Sequence, residues 1–151
     1  MARYALALAS VLALSGCSES PGGVTAPSAT AHLTATVTPS PLNAPTEAGT
    51  DLFWNLELRA GASNITVIEA DVQLLDASGL IVGHTKELWS QSAGCSVCSG
   101  EWTISARSAP TFSGRRVRYV GGGRPAKFVY TLSFFAEGSG PGTTVVEVPV
   151  R

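Results

Sequence analysis

A two-residue alternation of apolar and polar side chains runs through this 151-residue chain and constrains its fold more than any other feature. The alternation is clearest in LFWNLELR at 52–59 and FVYTLSF at 128–134. Successive side chains of an extended strand point to opposite faces, so each segment predicts a strand with one buried face. No segment keeps an apolar period of 3.6 residues over a helical length. Shorter strand-like segments lie at 33–37, 65–75, 80–89, 102–106 and 146–150.

Turn-forming residues separate these segments and set the fold class. The chain holds 16 glycines and 9 prolines, and Asp76-Ala77-Ser78-Gly79 predicts a tight hairpin. The spacing favours an all-β fold, an antiparallel β-sandwich of about seven strands, with a small β-barrel as the alternative. The pattern loosely resembles the immunoglobulin-like and fibronectin type III modules of bacterial surface proteins. The inter-sheet cysteine pair of antibody domains is absent.

The first 17 residues carry the pattern of an export signal. Arg3 precedes an apolar run at 4–14, which is shorter than the roughly 20 residues that a membrane-spanning helix needs. Leu14-Ser15-Gly16-Cys17 then resembles the lipobox of bacterial lipoproteins. That resemblance implies that residues 1–16 are a lipoprotein signal peptide and that Cys17 becomes the first residue. It also implies that Cys17 carries acyl chains such as palmitate, and two or more chains anchor a protein stably.

Residues 17–31 predict a lipidated, flexible tether, because SESPGGVTAPSATA offers little apolar surface and one charge. Its ends would lie about 20 Å apart as a coil and roughly 45 Å apart when stretched. Residues 32–151 then form the sandwich domain. The lipoprotein resemblance implies the bacterial cell envelope, with the domain facing the periplasm or the cell surface. Ser18 in place of an aspartate favours the outer membrane over the inner membrane.

Cys95 and Cys98 predict a disulfide bond, since close cysteines in an oxidising compartment usually pair. A thiol-redox site would need a helix N-terminus in a βαβ unit. A c-type haem site would need a histidine where Ser99 stands. A zinc site would need two further ligands, for which the chain offers only carboxylates, His32 and His84. We therefore expect no cofactor and no metal, and thiol-redox chemistry is kept as an alternative.

Six of the ten basic residues fall between 107 and 127, a stretch without any acid. A basic hairpin of this kind can bind an anionic envelope component or an acidic protein face. Alternatively, its charges prevent edge strands from aggregating. The Gly121–Gly123 triplet lacks the spacing of a phosphate loop, and the net charge of -1 speaks against nucleic acid. The candidate contact residues are Arg115, Arg116, Arg118, Arg124 and Lys127, and Arg107 completes the stretch.

Aromatic and nucleophilic residues give weaker predictions. Trp54 and Trp102 fall on apolar strand faces and predict core positions, whereas Trp89 at a strand end could belong to a carbohydrate-binding face. No GxSxG nucleophile elbow is present. We therefore expect a membrane-tethered, non-catalytic envelope lipoprotein that serves in binding or assembly. The alternatives are a carbohydrate-binding module and a thiol-redox protein that uses Cys95 and Cys98.

Overall fold

The structure, a computed structural model, describes residues 32–88 and 102–151. Every element of regular secondary structure in these two ranges is a β-strand. None of the described residues forms a helix long and apolar enough to cross a bilayer. The strands are β1 (Leu33–Thr38), β2 (Asp51–Ala60), β3 (Ile65–Asp76), β4 (Ile81–Leu88), β5 (Trp102–Ile104), β6 (Thr111–Arg118), β7 (Pro125–Ala136) and β8 (Gly140–Pro149).

The strands form two antiparallel sheets. One sheet has the order β1-β2-β6, and the other has the order β4-β3-β7-β8 with β5 also paired to β3. Because the sheets are separate, the fold is the predicted β-sandwich and not the alternative barrel. The strand order corresponds to an immunoglobulin-like arrangement, with strands A, B and E in one sheet and C′, C, F and G in the other. The described ranges contain eight strands, one more than the expected seven or so.

β4 and β5 lie end to end along one edge of β3. β4 finishes with Leu88 opposite Glu69, and β5 begins with Trp102 opposite Val67. Residues 89–101 therefore join two parts of a single edge. Trp89, Cys95 and Cys98 belong to this stretch and lie outside the described residues, as does Cys17.

The core is built from the predicted strand faces. Trp54 is 2% exposed, and its ring centroid lies 4.8 Å from that of Phe128 and 6.4 Å from that of Tyr130. The core prediction for Trp54 is thus confirmed. The side chains that are fully buried with it include Leu33, Leu56, Leu58, Ile65, Leu74, Leu132 and Phe134.

One core prediction was wrong. The sequence places Ile68 on the buried face of β3, but Ile68 is 44% exposed and Val67 is buried instead. The cause is a β-bulge: between Val67 and Glu69 the chain carries one residue more than its partner strand β7. A bulge of this kind reverses the phase of the alternation that follows it.

The sandwich has two distinct ends. At the entry end, where the described chain begins, the His32 carbonyl accepts a hydrogen bond from the Gly61 N–H at 2.8 Å. Asn64 lies at the same end and joins Ala106 and Glu137 through hydrogen bonds of 2.9 and 2.7 Å. The opposite end, here called the far end, is formed by the loops at 42–50, 76–80 and 119–124.

Candidate functional site

β6 brings part of the predicted basic stretch to an open edge of the sandwich. It pairs with β2 as the edge strand of the three-stranded sheet. Its sequence hardly alternates because it carries an extra residue where Trp54 and Leu56 pair with Arg115 and Phe112. Gly114 takes up the extra length with a φ of 68°. The bulge explains why no regular alternation of apolar and polar residues marks this strand in the sequence.

Arg115 points into the sandwich. It lies directly opposite Trp54 in the β2–β6 register, and directly opposed side chains share a face. Glu87 of β4 lies opposite the buried Ala70 and also faces inward. The Arg115 guanidinium donates to the Glu87 carboxylate across the gap between the two sheets. Burial lowers the pKa of Arg115, so the Glu87 carboxylate offsets an unfavourable position for a charge.

Arg116 and Arg118 share one carboxylate. Arg118 Nε donates to Asp51 Oδ1 at 2.9 Å, and Arg116 Nη1 donates to Asp51 Oδ2 at 3.3 Å. The hydrogen bond from Arg118 lowers the pKa of Asp51 despite an opposing effect of burial. Two guanidinium groups on one carboxylate leave one positive charge in excess.

These residues line a cleft of about 410 Å³ between the edge strands β4 and β6. We call it the edge cleft, and its lining residues are Asp51, Thr85, Glu87, Arg116 and Arg118. Sequence reasoning missed the two acids because they belong to β2 and β4, far from the basic stretch along the chain. The antiparallel pairing of β2 with β6 is the information that brings Asp51 beside the arginines.

The other predicted basic residues are dispersed. Lys127 Nζ lies 3.1 Å from Glu147 Oε2 on the outer face of the larger sheet. Arg107 lies at the entry end, where its N–H donates to the Gly61 carbonyl. Arg124 lies at the far end, exposed, and no ion pair joins it to any described residue. The basic stretch is therefore not one surface: Arg116, Arg118 and Arg124 lie towards the far end, and acids neutralise much of the rest.

His84 pairs with a carboxylate on the surface of the larger sheet. His84 Nε2 lies 2.9 Å from Asp71 Oδ2 on the exposed face of the larger sheet. Burial alone would raise the pKa of Asp71, but hydrogen bonds from His84 and Gln73 outweigh it and lower that pKa. No serine hydroxyl joins the pair within the described part of the chain, and no cluster of metal-binding side chains was found there.

Two exposed aromatic rings bear on the carbohydrate-binding alternative. Phe53 is 58% exposed on β2 and Phe135 is 48% exposed on β7. They occupy the outer faces of different sheets, so these two rings cannot form one flat platform. The side chain of Trp102 and the whole of Trp89 lie outside the described part of the structure, so their predicted positions remain predictions.

No protein-family model matches this chain, and no curated protein matches it either. Among solved structures, the chain is similar to a beta-glucuronidase from glycoside hydrolase family 2, with 12% sequence identity and a TM-score of 0.35. The similarity covers 73% of this chain and 11% of that one. At this level the similarity bears on neither the family nor the activity of the chain.

Proposed function

We propose that this protein is a lipoprotein of the bacterial cell envelope, anchored through Cys17, whose immunoglobulin-like sandwich binds a partner without catalysing a reaction. The lipobox sequence and the tether at 17–31 support the anchor. Ser18 favours the outer membrane. The partner is an anionic envelope component or an acidic protein face, because Arg116 and Arg118 share one carboxylate and Arg124 has no ion pair with the described residues. Glu47 and Asp76 also lie in the far-end loops, so the positive charge is local to these arginines.

The observation that carries this proposal is the distance between the entry end and the surplus arginines. β2 spans ten residues, or about 33 Å at 3.3 Å per residue. Arg118 pairs with the first residue of β2, whereas the chain enters beside the last one. If residues 17–31 form the expected tether, the far end is the part of the sandwich most distant from the attachment point. This distance supports the proposal of a partner beyond the adjacent headgroups.

The anchor is tested by metabolic labelling with an alkyne analogue of palmitate. We expect the native protein to incorporate the label and to sediment with membranes. Cys17→Ala should lose both properties because no other residue can be the lipobox cysteine. Cys95→Ala is the matched control and should keep both. Membrane association of Cys17→Ala equal to that of the native protein would show that the anchor assignment is wrong.

The binding role is tested by co-sedimentation with envelope fragments from the same bacterium, with Cys17→Ala as the background to remove the anchor. Substituting Arg116 and Arg118 by serine, together with Asp51→Asn to avoid an unpaired carboxylate, should weaken retention at low salt. High salt should reduce retention of the parent protein as well, since exposed charges are screened. A control that replaces Arg107 by serine should bind like the parent. Equal retention of both variants would contradict an electrostatic contact at the far end.

A further inference from the structure

A second cavity at the far end is separate from the edge cleft. It has a volume of about 390 Å³ and lies between the segment that follows β1 and the loop that follows β6. Pro45 and Tyr119 are buried and form its apolar floor, while Thr46 and Arg124 are exposed at its rim. We call it the Arg124 pocket, and its lining residues are Ala44, Pro45, Thr46, Tyr119 and Arg124.

The glycine triplet places Arg124 at this rim. Gly121 and Gly122 have φ values of 99° and 104°, which glycine adopts without the strain of a side chain. Gly123 packs so closely on Asp76 that a Cβ there would overlap the carboxylate. The Tyr119 hydroxyl donates to the Gly123 carbonyl at 3.2 Å and fixes the loop one residue before Arg124. The glycine triplet therefore shapes the loop that carries Arg124. Its sequence does not match a phosphate loop, and this local role accounts for the three glycines.

We propose that the Arg124 pocket binds a carboxylate that belongs to a ligand with an apolar body. The guanidinium of Arg124 has no ion pair with the described residues, and its planar donors match a carboxylate in two parallel hydrogen bonds. Pro45 and Tyr119 offer apolar contact beneath it. Asp76 lies against the same loop, and the exposed Glu47 follows the lining residue Thr46. These acids disfavour the double charge of a phosphate more than the single charge of a carboxylate.

The C-terminal carboxylate of a peptide that ends in an apolar residue presents such a group. An acidic sugar carries its carboxylate on a ring covered with hydroxyl groups, so preferential binding of a sugar acid would contradict the proposal. The inference deepens the proposed function, since it assigns a ligand class to the far end and rests on that function for its biological setting. The pocket itself needs no anchor. Failure of the native protein to incorporate the palmitate analogue would refute the anchor and would not affect the pocket. Failure of the pocket to bind a carboxylate would not affect the anchor.

The test is a titration of the detergent-solubilised full chain, followed by microscale thermophoresis. Hippurate represents a peptide end and glucuronate represents an acidic sugar. Hippuramide and glucose are their uncharged counterparts, and inorganic phosphate is the divalent competitor. We expect hippurate to bind with a dissociation constant of about 1 mM or lower, and hippuramide to bind at least tenfold more weakly. Glucuronate should bind more weakly than hippurate because it has the carboxylate without the apolar body.

Three variants locate the binding. Arg124→Gln should weaken it by about tenfold or more, because it removes the charged donor. Thr46→Trp should weaken it by filling the pocket while the charge stays. Arg107→Gln removes an exposed arginine at the entry end and should bind like the native protein. Thermal melting of each variant confirms that the sandwich is folded.

Four outcomes would overturn the proposal. These are no binding of hippurate, equal binding of hippurate and hippuramide, tighter binding of phosphate or glucuronate than of hippurate, and native affinity in Arg124→Gln.

Discussion

The ion pair between Arg115 and Glu87 gives the sharpest prediction about stability. Both side chains face the interior at the open edge between β4 and β6, and they are 25% and 17% exposed. Removing one partner of a fully buried pair costs about 3–5 kcal/mol, because the remaining charge lacks its partner. Partial exposure lets water solvate the remaining charge, which reduces the expected cost to about 1–3 kcal/mol.

The perturbation is Glu87→Gln, which keeps the shape of the side chain and removes its charge. We expect the free energy of unfolding to fall by about 1–3 kcal/mol. With a urea dependence of about 1–3 kcal/mol per molar, the unfolding midpoint should fall by roughly 1 M. Adding Arg115→Met removes the stranded charge and keeps an apolar stem. The double variant should therefore be less destabilised than the sum of the two single variants.

The measurement is urea unfolding followed by tryptophan fluorescence, with all four proteins of the cycle in one buffer. Lys127 and Glu147 provide the control, because their side chains are 49% and 56% exposed. Lys127→Met and Glu147→Gln should show a coupling free energy of less than about 0.5 kcal/mol. A coupling between Arg115 and Glu87 no larger than that of the control pair would refute the inward-facing arrangement.

Further predictions concern the core, the far end and the response to acid. Leu74→Ala should destabilise the domain by about 2–5 kcal/mol in urea unfolding, because a fully buried side chain of β3 leaves a cavity. Gly123→Ala should lower the melting temperature, since its methyl group would overlap the Asp76 carboxylate. The lowered pKa of Asp51 means that its pairing with Arg118 stabilises the fold above the unfolded value of about 3.9. That contribution is lost as the pH falls through the lower folded value. The urea midpoints of Asp51→Asn and the native protein should accordingly differ at neutral pH and converge once the pH lies below the folded-state pKa of Asp51.

The sequence predicted the strands that have regular alternation. β2 keeps a two-residue period over its ten residues and β7 keeps it from Phe128 to Ala136, and the faces predicted to be apolar are buried. The hairpin at 76–79 is confirmed, since the Asp76 N–H donates to the Leu80 carbonyl and the Gly79 N–H donates to the Asp76 carbonyl. These features are local, so the residues themselves specify them.

Bulges escaped prediction because they depend on the partner strand. Ile68 looks like a core residue until β7 is seen to carry one residue fewer opposite it. β6 looks irregular until the extra length at Gly114 is set against β2. Paired with a partner strand of matching length, the residues of β3 or of β6 could form a regular strand without a bulge.

For the candidate site, the sequence predicted the cations but not the acids that pair with them. The local sequence shows a run of cations at 107–127 but contains none of the acids that neutralise them. Asp51, Glu87 and Glu147 reach the cations only across strand pairs and between sheets. The charge that a partner meets is set by these pairings.

The sequence by itself determined the class of fold, the core-facing sides of the regular strands and the lipobox-like start of the chain. Each of these follows from the spacing or order of neighbouring residues. Only the tertiary structure decided that Arg115 faces inward, that Arg116 and Arg118 share Asp51, and that Arg124 lines a pocket at the far end without an ion pair to any residue of 32–88 or 102–151. The physical reason is that Coulomb attraction and burial act between groups that are close in space, and strand pairing brings together residues that are distant along the chain.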